Sequence, residues 1–337
     1  MKAPAFWMRN GRTARILAPL SQVAAAVTAH RVARPGWRAP VPVICCGNAS
    51  VGGSGKTTLA LDLAHRLNAR GVAVHVLLRG YRGSARGARR VMRGDPAALT
   101  GDEALLLAEV APTWTGADRA ASARAAIAAG AQVLLMDDGL QNPSLEKTLS
   151  LLVIDGSTGF GNGRVMPAGP LREPVAAAAA RSRAAVFIGP DTTGSMARMP
   201  RDLLVLRANL VPGDEVESLR GHRILAFTGI AFPAKFFRGL EQAGVSLAGR
   251  ESFADHHPFT AGELAVLEAK ARALCAILVT TPKDAVRLPA RMPMGSEVRV
   301  AGVRLVWDDE SSIDALLDEL MAGHSSPPSP EDAGSVA

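Results

Sequence analysis

Residues Val41 to Thr58 read VPVICCGNASVGGSGKTT. Val41, Val43, Ile44, Cys45 and Cys46 form an apolar run suited to a buried parallel strand. Leu59, Leu63 and Leu67 then recur at helical spacing until Gly71 offers a stop. Between strand and helix, Ser50-Val51-Gly52-Gly53-Ser54-Gly55-Lys56-Thr57 fits the phosphate-binding pattern G-x-x-x-x-G-K-[ST] everywhere except the first position, where Ser50 stands for Gly. Glycines let successive backbone N–H groups turn toward an anion, and the helix N-terminus adds partial positive charge. In that setting Lys56 reaches the β- and γ-phosphates of a nucleotide and the Thr57 hydroxyl ligates Mg²⁺.

The chain has 337 residues, enough for two domains of ordinary size. With 48% hydrophobic and 20% charged residues it is globular in composition. A formal net charge of +7 favours an anionic partner: nucleic acid, an acidic lipid surface or a phosphorylated metabolite. A single Tyr and 4% aromatics leave little for stacking on bases, so nucleic acid is the weakest of the three. The cysteines, Cys45, Cys46 and Cys275, have no C-x-x-C spacing and imply neither a zinc site nor a disulfide framework.

Residues 1–40 place Phe6, Trp7, Arg9, Arg12 and Arg15 before an uncharged segment, Ile16 to Ala29, and Arg31, Arg34, Trp37 and Arg38 after it. That segment, about 14 residues long, falls short of the roughly 20 that a spanning helix needs. Ile16, Leu20, Val23 and Val27 share one helical face, which resembles an interfacial amphipathic helix. A helix packed on the protein's own core is the competing reading. A signal peptide has a similar shape, but a nucleotide site implies the cytosol.

Beyond the loop helix, Val72 to Leu78 is a second apolar run, and Ser84 to Arg93 reads as an exposed Arg- and Gly-rich loop. Thr100 and Glu103 have the spacing of a capping box, which accounts for both and leaves Asp102 free. After an Ala-rich helix over Asp118 to Ala129, Val133 to Met136 form a strand ending in Asp137-Asp138. Such a strand end downstream of a phosphate loop suits the second side of Mg²⁺. Gly156 to Pro174 has no periodicity, and loops of that length are usually functional. Val211-Pro212-Gly213-Asp214 marks a boundary, with strands beyond it at Arg223 to Phe227, Cys275 to Thr280 and Val298 to Trp307. Helices are expected near Ala234 to Ala243 and Ala261 to Ala273. Adjacent His256 and His257 point in different directions on any regular element and do not suggest a two-His metal site.

These readings predict an α/β fold with a mostly parallel sheet of the P-loop NTPase type and helices on both faces. Expected bounds are an N-terminal helix region over 1–40, a phosphate-loop domain over 41–213, a smaller α/β domain over 214–324 and a disordered tail over 325–337.

Several segments, in order, resemble the tetraacyldisaccharide 4′-kinases of lipid A biosynthesis: PVICCGNASVGGSGKTT, LRGYRG, GDE, DDGLQ, GFGNGRVMPAGPLREP, AFTGI, FADHHPFT and TTPKDAVRL. The GNG-to-PLREP loop is the most specific of them. The sequence departs from the family pattern at Asn142, where His is usual, and at Ala231-Phe232, where Gly-Asn is usual.

The resemblance implies transfer of the γ-phosphoryl group of ATP to the 4′-hydroxyl of an acylated glucosamine disaccharide 1-phosphate. It implies Asp102 as the base, paired with His256, and Lys56 as a further catalytic group. ATP is held by Ser50 through Thr57, and Mg²⁺ by Thr57, Asp137, Asp138 and Glu173. Arg79, Gln141, Asn162 and Arg172 are its expected substrate contacts, Arg172 as a fork that grips phosphate oxygens. Peripheral attachment to the anionic cytoplasmic face of the inner membrane follows from an acceptor that stays in lipid, with no obligate protein partner called for. Three rivals remain. A membrane-recruited switch ATPase carries K-G-G-x-G-K-[ST], with Lys where this chain has Val51; a GTPase needs an N-K-x-D segment, which is absent; a non-catalytic lipid-surface module needs no base.

Overall fold

Every residue of the strand Val43–Gly47 (β1) is buried, and its side chains alternate between two cores: Ile44 and Cys46 face one, Val43 and Cys45 the other. A strand buried on both faces is the mark of a parallel sheet covered by helices, which is why this run is apolar throughout. The molecule is seen in a computed structural model that describes residues 4–81, 83–84, 87–289 and 297–323. Arg82 and the expected tail over 325–337 lie outside the described residues.

Two helices, Arg12–Ile16 (α1) and Ala18–Val32 (α2), precede β1. The loop helix Lys56–Ala69 (α3) follows it, then Val74–Leu78 (β2) and a two-residue edge strand, Arg89–Arg90 (β3). That strand, and buried Val91 beside it, lie inside the segment read from sequence as an open loop. Next come Ala97–Thr100 (α4), Asp102–Ala108 (α5), Thr113–Thr115 (β4), Arg119–Ala128 (α6) and Val133–Asp137 (β5). Leu149–Asp155 (β6), Val175–Ala180 (α7), Ala184–Ile188 (β7) and Leu204–Pro212 (β8) complete this run.

A smaller unit contains Arg223–Thr228 (β9), Pro233–Gln242 (α8), Ser246–Ser252 (β10), Ala261–Ala273 (α9), Ile277–Thr280 (β11), Pro282–Ala285 (α10) and Val298–Val300 (β12). Its four strands are all parallel, in the order β10-β9-β11-β12. The chain then returns through Val303–Trp307 (β13) and Glu310–Ala322 (α11).

That return corrects the expected boundary. The run from Val298 to Trp307 is not one strand: it breaks at Ala301-Gly302, and β13 pairs antiparallel with β8 at the edge of the large sheet. The large sheet has nine strands, β13-β8-β7-β6-β1-β5-β2-β4-β3, parallel throughout except at the two edges. Leu305, Trp307, Ile313, Leu317 and Leu320 share a core with Leu59 and Leu63 of α3, and Trp307 Nε1 donates to Asp62 at 2.9 Å. The smaller unit is therefore an insertion, its exit and re-entry tied by Gly213 N–H donating to the Gly302 carbonyl at 3.0 Å. If this assignment holds, Leu317→Ala lowers the stability of the phosphate-loop unit by ~2–5 kcal/mol in urea unfolding followed by Trp fluorescence. An unchanged midpoint for that unit would return α11 to the smaller one.

Candidate active site

Parallel pairing aligns Cys46 of β1 with Asp137 of β5, so the phosphate loop and the two aspartates leave the sheet side by side. The Thr57 hydroxyl donates to Asp137 Oδ2 at 2.9 Å, and Lys56 Nζ lies 3.8 Å from Asp138 Oδ1. Asp138, in a left-handed conformation with φ 56°, receives both Arg172 η nitrogens at 2.7 and 2.9 Å. Arg172 is delivered by the end of the long loop, which runs against the phosphate loop: Val51 N–H donates to the Pro170 carbonyl and Arg172 N–H to the Ala49 carbonyl. The Val51 amide is thus engaged here by Pro170. Ser54 Oγ is held by the Asn48 amide at 3.0 Å.

Asp137 is buried, and burial, reinforced by the nearby Glu103 charge, raises its pKa from 3.8 to about 7 despite Lys56. Its Oδ1 is buried without a hydrogen-bond partner among the described residues. An orphaned carboxylate oxygen beside a hydroxyl is a hard-oxygen pair that fits Mg²⁺. For Asp138, burial raises the pKa, but Lys56 and Arg172 outweigh it and keep the group ionised. Buried Arg119 also faces this cluster, donating to the Gly116 carbonyl while its Nε has no described partner. Burial lowers its pKa to about 10, which still leaves it charged at neutral pH.

Asp102 begins α5. The expected capping box does not form: Thr100 instead closes α4 with its hydroxyl buried and unpartnered, and Glu103 reaches across to Lys283 at 2.7 Å. Gly101 separates the two helices at φ 88°, and a Cβ there would lie 2.7 Å from the Tyr81 carbonyl. No other residue type suits so tight a turn. Asp102 Oδ1 accepts the Glu103 amide at 3.0 Å, and Oδ2 lies 2.7 Å from His256 Nδ1, which comes from the smaller unit. Arg287 Nε stands 3.8 Å from the same oxygen. Burial alone would raise the Asp102 pKa, but His256, Lys283 and Arg287 together lower it. Lys283 also senses Asp137, so the aspartate–histidine pair and the metal-fitting pair share one electrostatic neighbourhood. His257 points elsewhere, bonding Glu263 at 2.9 Å and stacking on Phe253.

A family model for tetraacyldisaccharide-1-P 4′-kinases matches residues 13–322. A tetraacyldisaccharide 4′-kinase of Gluconacetobacter diazotrophicus is 53% identical, over 94% of this chain and 98% of its own. One from Gluconobacter oxydans is 50% identical, over 95% and 98%. The chain belongs to the tetraacyldisaccharide-1-P 4′-kinase family. Among solved structures, LpxK from Aquifex aeolicus in complex with ATP shares the fold, with a TM-score of 0.73 at 24% identity, covering 91% of this chain and 99% of that one.

Two residues expected at the site of this family member have other partners. Glu173 is buried with Oε1 on Gln141 at 2.8 Å and Oε2 on Arg181 at 2.7 Å, so neither oxygen is directed to Thr57 and Asp137. It braces Gln141, which in turn accepts from Arg172 at 3.3 Å. Asn162 donates to the Phe6, Arg9 and Ala168 carbonyls and caps Arg164 N–H, fastening the N-terminal segment to the long loop. Arg79 is exposed, near enough to Arg119 to repel it. Lys283 and Arg287 lie in the TTPKDAVRL motif, which the sequence marked without giving either a role. Nothing in the sequence distinguished Arg119 or Arg181.

An acid whose pKa is raised on folding keeps its proton longer folded than unfolded, so stability falls as pH climbs from about 4 to about 7. In metal-free buffer, Asp137→Asn therefore stabilises the protein at pH 8 relative to wild type and converges with it near pH 4. The slope it removes is at most ~1.4 kcal/mol per pH unit. Parallel pH profiles of thermal melting for both proteins check this.

Proposed function

We propose that this chain transfers the γ-phosphoryl group of ATP to the 4′-hydroxyl of a tetraacylated glucosamine disaccharide 1-phosphate at the inner face of the cytoplasmic membrane. The observation that carries the reading is the 2.7 Å contact between Asp102 and His256 beside a phosphate loop ending in Lys56-Thr57. A switch or hydrolase built on the same loop has no need of a carboxylate–imidazole pair supplied by two different units.

Phosphoryl transfer asks for positioning, charge neutralisation and a proton acceptor. The backbone amides of the loop over residues 52–57 cradle the phosphates, the Val51 amide being held by Pro170, with Lys56 on the outer ones. Thr57 and Asp137 would hold Mg²⁺, which would supply charge neutralisation to the phosphates. Arg172, steered by Asp138 and Gln141, brings a second cation with a planar fork. Arg119 contributes positive charge beside Asp137 and Asp138. Asp102 takes the proton from the acceptor hydroxyl. A carboxylate with a lowered pKa is a weak base, and the His256 ring 2.7 Å away orients it toward that hydroxyl.

The N-terminal helices supply the approach to lipid. Ile16, Leu20, Val23 and Val27 are 76, 58, 62 and 62% exposed, while Ala14 and Ser21 on the opposite side are buried. The helix packs on the protein's own core through Ala24 and Ala25, which leaves the stripe facing outward. None of the described helices is long and apolar enough to cross a membrane. Apolar insertion flanked by Arg9, Arg12, Arg15, Arg31 and Arg34 fits attachment to an anionic leaflet.

The decisive assay supplies labelled ATP and tetraacylated disaccharide 1-phosphate in detergent micelles and looks for the bisphosphorylated product. Its absence, or fast ATP hydrolysis without acceptor, would sink the reading. Asp102→Ala is expected to lower kcat about 10²–10⁴-fold with ATP binding intact. Because Asp102 and His256 act as a unit, the double variant with His256→Ala loses little more than the worse single one. Leu20→Ser with Val23→Ser, at ~1 kcal/mol per side chain withheld from lipid, weakens partitioning to anionic vesicles about thirtyfold. Unchanged partitioning would mean that attachment lies elsewhere.

A further inference from the structure

Arg287, just past α10, has a guanidinium only 5% exposed whose donors converge on the turn that carries His256. Nη2 donates to Asp284 Oδ1 at 2.6 Å, and Nη1 and Nη2 reach the Gly229 carbonyl at 3.3 and 3.2 Å. That carbonyl also accepts the His256 N–H at 2.9 Å. His256 has φ 61°, a conformation that a residue with a side chain keeps only when its surroundings impose it. Asp284, fully buried, holds the other side of the turn. It accepts the Thr228 and Thr281 hydroxyls at 2.6 Å each and the Gly229 N–H at 2.9 Å. Gly229 has no room for a side chain: a Cβ would lie 2.9 Å from the Ala254 carbonyl and 3.1 Å from His257 Cβ.

We propose that Arg287, locked in place by Asp284, is a positioning residue for phosphoryl transfer: its fork fixes the carbonyl from which His256 is hung, and its charge lies beside Asp102. The proposal rests on the function put forward above. A merely structural arginine at this place would affect stability alone. The titratable and charged groups facing Asp102 are His256, Lys283 and Arg287 from the smaller unit, with Glu103 next to it on α5. Loss of the guanidinium leaves Lys283 as the remaining Lys or Arg cation acting on Asp102 and frees the Gly229 carbonyl. An ammonium at the same position restores the charge without the fork.

The test compares wild type, Arg287→Gln and Arg287→Lys in kinase assays across pH and in ¹⁵N spectra of the His256 ring. Arg287→Gln is expected to lower kcat about ten- to a hundredfold with the KM for ATP unchanged, as a displaced catalytic group would. It also moves the acidic limb of the rate profile to higher pH and shifts the ring resonances. Arg287→Lys keeps the acidic limb in place but not the full rate. A folded Arg287→Gln protein with wild-type kcat, acidic limb and His256 resonances overturns the proposal. If Arg287→Gln does not fold, Arg287→Lys decides, and wild-type kcat there overturns it as well. A wild-type chain that makes no bisphosphorylated product sinks the function, while the ring resonances of the variants still decide the positioning role.

Discussion

The aspartate and histidine that meet at 2.7 Å belong to different units of the chain, so the proposed chemistry exists only while the smaller unit sits over the phosphate loop. The same charge arrangement holds the two together. Lys283 meets Glu103 at 2.7 Å, Arg287 stands 3.8 Å from Asp102, and Lys235 meets Asp155 at 3.2 Å. In each case the cation comes from the insertion and the carboxylate from the large unit. Lys235 is exposed and its pair contributes little against solvent screening. Asp102 and Arg287 are buried, and there one set of charges both seats the insertion and lowers the Asp102 pKa. Tying both chain crossings together at Gly213 and Gly302 narrows the motions by which the pair could part.

At the other end of the site, geometry follows from strand order. Seven parallel strands bring their C-terminal ends to one edge, and β1 beside β5 makes the loop and Asp137-Asp138 neighbours without any further device. The two aspartates then diverge through their surroundings. Asp138 faces Lys56 and Arg172 and stays ionised, whereas Asp137 is buried and retains a proton to about pH 7. Two adjacent identical side chains thereby have different chemistry: one pairs with cations of the protein, the other keeps an oxygen without a partner among the described residues.

Much of this was legible in the sequence because it rests on local pattern. The apolar run of β1, the glycine-rich loop and Asp137-Asp138 each carry their own signal, and the resemblance brought Asp102 and His256 together across 154 residues. What stayed hidden depends on tertiary pairing. A capping-box spacing at Thr100 and Glu103 is overridden because Glu103 finds a cation in the insertion. Glu173 and Asn162 are polar residues in a loop that looked like a contact surface, yet their side chains satisfy the protein's own donors and acceptors instead. The return of β13 to β8 was illegible because Val298 to Trp307 is apolar on both sides of Gly302, and nothing in hydropathy tells one sheet from the other.

The long loop over residues 156–174 explains how a lipid-borne acceptor and a nucleotide could be served by one rigid frame. On its outer side the Pro167 carbonyl accepts the Trp7 indole N–H at 3.0 Å, and the Val165 carbonyl accepts the Ser21 hydroxyl at 2.6 Å. On its inner side the loop pairs with Ala49 and Val51 and delivers Arg172 to Asp138. The exposed apolar stripe of α1 and α2 and the phosphate loop are thus fastened to the same segment, at positions only a few residues apart. Flexible attachment would let the proposed membrane face and the proposed catalytic face drift independently, and the acceptor hydroxyl would then have to be found anew at each encounter. A shared scaffold fixes the orientation once, during folding, so that the proposed docking on a bilayer would already aim the site.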